Sequence, residues 1–279
     1  WGEDGRLAGV VVALPGLLAA PAFADDLPTG GQIVHGQATI SQSGNAMTID
    51  QSSRQMIANW QDFSIGAGAS VTFNQPDAGS TALNRVVGQD PSRILGSLDA
   101  NGQVFLVNPN GIVFGRDSRV RTGAFVGSTL GISDEDFAAG KYRFAGETGR
   151  IDNLGRIEGG VVALISPTVT NEGEIAGDTA LAAGTGVSLD FDGDGLISIE
   201  VNASTVETLV DNRGLVKADG GTAILTARGA SDALAGVVNN SGTMQARTLK
   251  KSKGRILLLG DMDNGVTHVA GTLDASAPE

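Results

Sequence analysis

The residues of this chain that could do chemistry are few and scattered. His35 and His268 are the only histidines and there is no cysteine. A Cys/His zinc set therefore cannot be assembled, nor a thiol nucleophile with its imidazole base. No Gly-x-Ser-x-Gly elbow occurs. Gly66-x-Gly68, Gly184-x-Gly186 and Gly193-x-Gly195 each lack the third glycine and the following helix of a dinucleotide loop. The densest acidic pattern is Asp190, Asp192 and Asp194, with Gly195 and Ile197 after them. Acids at alternate positions, then a glycine and an aliphatic residue, are how a calcium loop begins. Val201 stands where the bidentate glutamate is expected and Glu200 comes one position early, so calcium and a plain acidic turn both remain open.

The elements that must position these residues read almost wholly as strands. Gln37–Ser41, Ala46–Asp50, Ala69–Phe73 and Gln103–Val107 alternate apolar and polar side chains, broken by Gly, Asn, Asp and Ser. Ser43-Gly44-Asn45 reads as a hairpin turn. One helical turn is expected at 133–140, with Ser133 as its N-cap. From residue 150 a short pattern recurs: Asn153-Leu154-Gly155, Asn171-Glu172-Gly173, Asn212-Arg213-Gly214 and Asn240-Ser241-Gly242. An aliphatic residue follows two positions after each glycine, and Val269-Ala270-Gly271 is a degenerate fifth copy. The Asn spacings of 18, 41 and 28 fit rungs of about 20 residues with inserted loops, 41 reading as two rungs. Units this short cannot enclose a core alone and must stack. The expected fold is all-β: a right-handed parallel β-helix with an N-terminal β-cap and extra-helical hairpins. Asn and Gly are expected in left-handed corners, with the Asn side chains bonding from rung to rung.

Composition agrees. The chain of 279 residues has 41 Gly but only 9 Phe, 2 Trp and 1 Tyr, which suits thin repeated layers better than a compact enzyme core. A net charge of -12 argues against nucleic acid and disfavours docking on an anionic membrane surface. Absence of cysteine suits a chain that crosses an oxidising compartment unfolded.

The first 24 residues read as the remnant of a signal peptide. The apolar run Leu7–Ala20 is short for a bilayer span, and Ala22-Phe23-Ala24 is what a signal peptidase accepts. Residues 25–150 are expected to form the cap and first rungs. Residues 151–279 continue the same solenoid, cut before any downstream adhesin region.

Between Gly31 and Gly146 a series of blocks occurs in order: Asn59-Trp60-Gln61-Asp62-Phe63-Ser64-Ile65-Gly66, Val71–Pro76, Ala82–Val86, Ser92–Gly96, and Gly102–Gly115 containing Asn108-Pro109-Asn110-Gly111-Ile112. The series resembles the N-terminal secretion domain of filamentous haemagglutinins and related adhesins exported by two-partner secretion. Part of that family carries an Asn-Pro-Asn-Leu block ahead of the Asn-Pro-Asn-Gly-Ile one. Here Asp90-Pro91-Ser92 stands instead, which places the chain nearer the adhesin and haem-acquisition branch.

The resemblance implies export without catalysis. The partner would be an outer-membrane two-partner-secretion transporter, met through its periplasmic domains. The destination would be the surface or surroundings of a Gram-negative bacterium. A host-cell or glycan receptor would belong to the downstream region. Asn108, Pro109, Asn110, Gly111 and Ile112 are the expected secretion motif, either read by the partner or only stabilising the fold. Trp60 and Phe63 are expected to plug the end of the core. The rival reading is a carbohydrate-active or glycan-binding β-helix. An enzyme of that kind needs paired carboxylates, or calcium with a base, in an aromatic-lined groove. Outside Asp190–Asp194 the sequence offers no such pair, so the chain is read as no enzyme and no cofactor is assigned beyond that calcium alternative.

Overall fold

The computed structural model describes residues 27–191, 197–202, 206–229, 236–249, 253–261 and 265–277. The leader-like segment 1–24 lies outside them, as do Asp192 and Asp194.

Each turn of the chain lays down three short strands. One turn consists of Ser92–Ile94, Ser97–Ala100 and Gln103–Val107; the next of Ile112–Phe114, Arg119–Arg121 and Ala124–Ser128. Successive turns stack in parallel and in register, with Val113 on Arg93, Val120 on Leu98 and Val126 on Phe105. The result is a parallel β-helix, right-handed by the crossover rule for parallel strands. Its three sides repeat to the last described strands, Arg255–Leu259, Gly265–Val269 and Thr272–Asp274.

Alternation along each strand explains the core. On the first side Ile112, Ile151, Val169, Val210 and Val238 form one fully buried column. On the second, Leu98, Val120, Ile157, Ile175, Val216 and Met244 form another. These include the aliphatic residues that follow Asn-x-Gly, and each fully buried side chain is worth roughly 1.5–3 kcal/mol. The third side is apolar on both faces. Val104, Phe125 and Leu164 point inward, while Ile57, Leu83, Phe105, Val126, Ala163 and Ala180 point outward.

That outward row is covered by material inserted between turns. The helix Asp134–Ala138 and the antiparallel strands Tyr142–Ala145, Gly186–Phe191 and Ile197–Val201 lie over it and bury Phe137, Phe144, Val187 and Leu189. Ser133 caps the helix as expected, its Oγ accepting from the Asp136 N–H at 3.1 Å. Arg85 fastens it to the coil through the Ile132 carbonyl at 2.8 Å and the Asp134 carboxylate at 2.7 Å.

The N-terminal end is closed by antiparallel strands. Gln32–His35 pairs with Gln55–Trp60, and Ala38–Ser43 forms a hairpin with Ala46–Gln51 around Gly44, at φ +58°. This switch from parallel to antiparallel pairing ends the stack.

Two expectations are corrected. The 41-residue interval is one turn, because Asn171 pairs directly with Asn212. Its excess length is the Gly186–Val201 hairpin, which leaves the coil and returns. The Asn-x-Gly corners are not left-handed. Asn153, Asn171, Asn212 and Asn240 are the last residues of extended strands, and none of the glycines that follow has positive φ. Glycine is required there by close stacking. A Cβ on Gly173 would lie 2.1 Å from the Gly155 carbonyl oxygen, and one on Gly214 2.2 Å from that of Gly173. The expected rung-to-rung bonds are present: Asn153 donates to Asn171 at 2.8 Å, Asn171 to Asn212 at 2.7 Å, and Asn212 to Asn240 at 2.6 Å.

Candidate functional site

Asn108-Pro109-Asn110-Gly111-Ile112 forms the corner between Gln103–Val107 and Ile112–Phe114. Asn108 is fully buried and its amide works in two directions. Its Oδ1 accepts from the Asn110 N–H at 2.9 Å, and its Nδ2 donates to the Asp90 carbonyl and the Ser92 hydroxyl, each at 3.0 Å. Its backbone donates to the Ser128 carbonyl on the following turn and accepts from the Gly111 N–H at 3.1 Å, which closes a β-turn. Proline at the second position presets φ, and Gly111 supplies the φ of +122° that brings the chain back into the coil. Ile112 drops into the buried column.

Pro109 and Asn110 sit at the tip of this corner and are exposed. They are framed from both sides. Asn110 Nδ2 reaches the Gly88 carbonyl of the preceding turn at 3.0 Å. Thr148, where the inserted segment rejoins the coil, donates to the Pro109 carbonyl at 3.2 Å. Gly149, at φ +85°, is held against that same carbonyl, 2.7 Å from where its Cβ would be. The motif is thus a rigid surface knuckle with a buried root.

Sequence reasoning did not anticipate the residues that frame it: Gly88, Asp90, Ser92 and Thr148. A signal existed for part of the set. Asp90-Pro91 precedes Asn108-Pro109 by 18 residues, the length of the shortest Asn-to-Asn rung. The Asp90-Pro91-Ser92 block is the same corner one turn earlier, and it binds the motif's root.

Trp60 and Phe63 are both buried near the antiparallel end, their rings edge to face at 5.3 Å. Trp60 Nε1 donates to Asn84 Oδ1 at 3.0 Å, so the indole is satisfied inside the molecule. Gly31 lies so close over its ring that a Cβ would approach to 2.5 Å. The pair therefore stands beneath the first strands of the cap, two turns before the Asn108 corner.

Of the acidic set, Asp190 is described. It belongs to the hairpin strand Gly186–Phe191 and pairs with Ser198. Among the described residues no cluster of three His, Cys, Asp or Glu side chains could hold a metal ion.

Chemically the knuckle offers no nucleophile, acid pair or ligand set. What it offers is an exposed proline and amide held by the turns on either side.

The chain is 34% identical over 258 residues to a heme/hemopexin-binding protein of Haemophilus influenzae, with 87% of this chain and 28% of that protein covered. A second Haemophilus influenzae heme/hemopexin-binding protein is 29% identical over 273 residues, with 87% and 29% covered. The chain thus spans less than a third of the length of these curated relatives. Among solved structures, the secretion domain of HMW1 from Haemophilus influenzae superposes with a TM-score of 0.74 at 30% identity, covering 90% of this chain and 74% of that one. The filamentous hemagglutinin secretion domain has a TM-score of 0.53 at 15% identity, covering 89% and 99%, and shares the fold. Residues 24–271 match the family described as the TPS secretion domain, and the chain belongs to that family.

Proposed function

We propose that the chain is the recognition module of an exported protein. In this reading the periplasmic domains of a partner outer-membrane transporter read the Asn108–Ile112 corner. The same region then nucleates β-helix folding outside the cell. The observation that carries the reading is the split within the motif. Asn108 is buried and bonded to the preceding and following turns, while Pro109 and Asn110 are exposed at the tip. The tip adds no side chain to the buried columns, yet both of its residues are held from the turns on either side.

The free energy for exit comes from stacking. Each new turn buries apolar side chains on three sides, worth ~25 cal/mol per Å². Because each turn needs the one before it as a template, the gain is local and directional. The module itself performs no catalysis in this reading. For the exported protein as a whole, the two curated relatives suggest haem or a haem carrier as the ligand class. That ligand would be bound by parts other than this corner.

The test is secretion from cells with and without the partner transporter, comparing the parent with Pro109→Ala, Asn110→Ala and Asn108→Ala. The tip variants are expected to keep the parent's circular dichroism and lose partner-dependent release. Asn108→Ala is expected to lose both. Release that ignores the partner, or tip variants exported as well as the parent, would overturn the reading.

A further inference from the structure

Two Asn-Gly pairs among the described residues, Asn101-Gly102 and Asn110-Gly111, share an arrangement with a chemical consequence. An exposed asparagine followed by glycine is the sequence most open to spontaneous deamidation. The glycine nitrogen attacks the asparagine Cγ, a new N–Cγ bond forms, and the side-chain nitrogen leaves as ammonia. Water then opens the succinimide to aspartate or isoaspartate. The attack needs a free glycine N–H and a side chain able to swing back onto it.

Both asparagines are exposed, yet both requirements are blocked. At the first pair, the Gly102 N–H donates to Gln75 Oε1 at 3.0 Å. Asn101 Oδ1 accepts from the Gln75 N–H at 2.7 Å, and Asn101 Nδ2 donates to the Gln75 carbonyl at 2.8 Å. At the second, the Gly111 N–H is held in the β-turn to the Asn108 carbonyl at 3.1 Å. Asn110 Nδ2 is tied to Gly88 O at 3.0 Å and to Asn108 Oδ1 at 3.1 Å. Each amide thus donates to a carbonyl of the preceding turn, so the locks exist only when that turn is already stacked.

We propose that Asn101 and Asn110 are deamidation sites of the unfolded chain that folding switches off, so that a chain kept unfolded too long loses its ability to fold. The loss follows from the same bonds. Deamidation replaces the donating NH2 with a carboxylate, which then faces the Gln75 or Gly88 carbonyl, acceptor against acceptor. Isoaspartate adds a methylene to the backbone and moves the turn out of register with its neighbours.

The experiment holds the whole chain in urea at mildly alkaline pH for increasing times and then dilutes it to refold. Soluble folded material is separated from the rest, and each asparagine is followed by peptide mass spectrometry. A parallel sample in mildly acidic urea, where the glycine nitrogen does not attack, controls for time alone. Folded chain kept alkaline without urea is expected to deamidate at both sites at least about tenfold more slowly, the factor for an opening cost of about 1.4 kcal/mol. Refolding yield is expected to fall only in the alkaline urea sample, and the folded fraction to be depleted of modified Asn101 and Asn110. Equal rates in folded and unfolded chain would overturn the proposal. So would a folded fraction that carries the modified residues in full proportion.

Discussion

Asn171 Nδ2 lies 2.7 Å from Asn212 Oδ1, although 41 residues separate the two along the chain. This bond is one step of a ladder inside the coil, running from Asn153 through Asn171 and Asn212 to Asn240, all buried. The amides all point the same way. Asn153, Asn171 and Asn212 each donate to the next turn, and among the described residues Asn240 Nδ2 at the far end has no partner. Burying amides in an apolar coil is tolerable only because each satisfies its neighbour.

Breaking the ladder in the middle is therefore expected to cost more than removing one contact. Asn212→Ala strands the Asn171 donor and removes the donor to Asn240, leaving buried polar atoms with no water to replace the lost partner. The expected loss is about 2–3 kcal/mol, read as a lower urea midpoint with an unchanged slope. A midpoint within experimental error of the parent would mean that the ladder contributes nothing.

Gly214, which follows the ladder, and Gly44, at the hairpin tip, are glycine for two different reasons. Gly214→Ala places a methyl 2.2 Å from a backbone carbonyl of the turn below, and backbone cannot move aside without unstacking that turn. Gly44→Ala, at the hairpin tip with φ +58° and open space around it, meets only the cost of a left-handed alanine. The first is expected to lose at least about 2 kcal/mol and the second about 1 kcal/mol. Thermal unfolding of the two variants beside the parent measures the difference, and a reversed order would refute the stacking account.

These positions also mark how far the sequence could be read. Repeated Asn-x-Gly-aliphatic segments carry the coil plainly, because Ile157, Ile175, Val216 and Met244 face the same buried column and Asn the same ladder. Turn length between Asn171 and Asn212 is not legible in the sequence, because the inserted hairpin is itself made of alternating strand-like residues and local pattern does not say which sheet a strand joins. Glycine's role is hidden from the sequence for a related reason. A left-handed corner is a local property, whereas a carbonyl pressing from the turn below is not visible in a single segment. The Asn108–Ile112 corner was identifiable as a motif. Its split into a buried Asn108 and an exposed Pro109–Asn110 depends on Asp90, Ser92 and Thr148, which the chain brings in from two other places.

Asp219 and Arg247 stand on successive turns and predict an acid limb of stability. Hydrogen bonding from the Arg247 guanidinium, against some desolvation, holds the Asp219 carboxyl at about 2. The Arg247 Nη2 and Asp219 Oδ2 atoms are 2.9 Å apart. A carboxyl depressed in the folded state binds its proton more readily when unfolded. Its contribution is therefore complete above the ordinary carboxyl range and disappears as pH falls through the folded value of about 2. Because the Arg247 side chain is 42% exposed, solvent screening reduces the contribution to about 1 kcal/mol. Asp219→Asn is expected to lower stability at neutral pH by that amount and to flatten the fall between about pH 4 and pH 2. Urea titrations across that range measure it, and parallel curves for variant and parent would contradict it.

The outer layer and the coil are expected to open separately. Phe125 packs inside the coil, edge to face with Phe114 at 5.7 Å. Phe137 belongs to the covering helix and meets Phe105 on the outside of the same side at 5.3 Å. Both rings are fully buried, so truncating either to alanine costs about 3–5 kcal/mol of local packing. The consequences differ because their surroundings do. Coil strands are paired on both edges by neighbouring turns, whereas the cover is one short helix and a three-stranded antiparallel sheet, joined to the coil by Arg85, Arg228 and an apolar face. Phe137→Ala is therefore expected to speed amide exchange across Asp134–Ala145 and Gly186–Val201 while strands such as Val161–Ser166 stay protected. Phe125→Ala is expected to speed exchange in the coil and the cover together, since the cover has no support once the side beneath it opens. Exchange that rises uniformly in both variants would mean that layer and coil unfold as one unit.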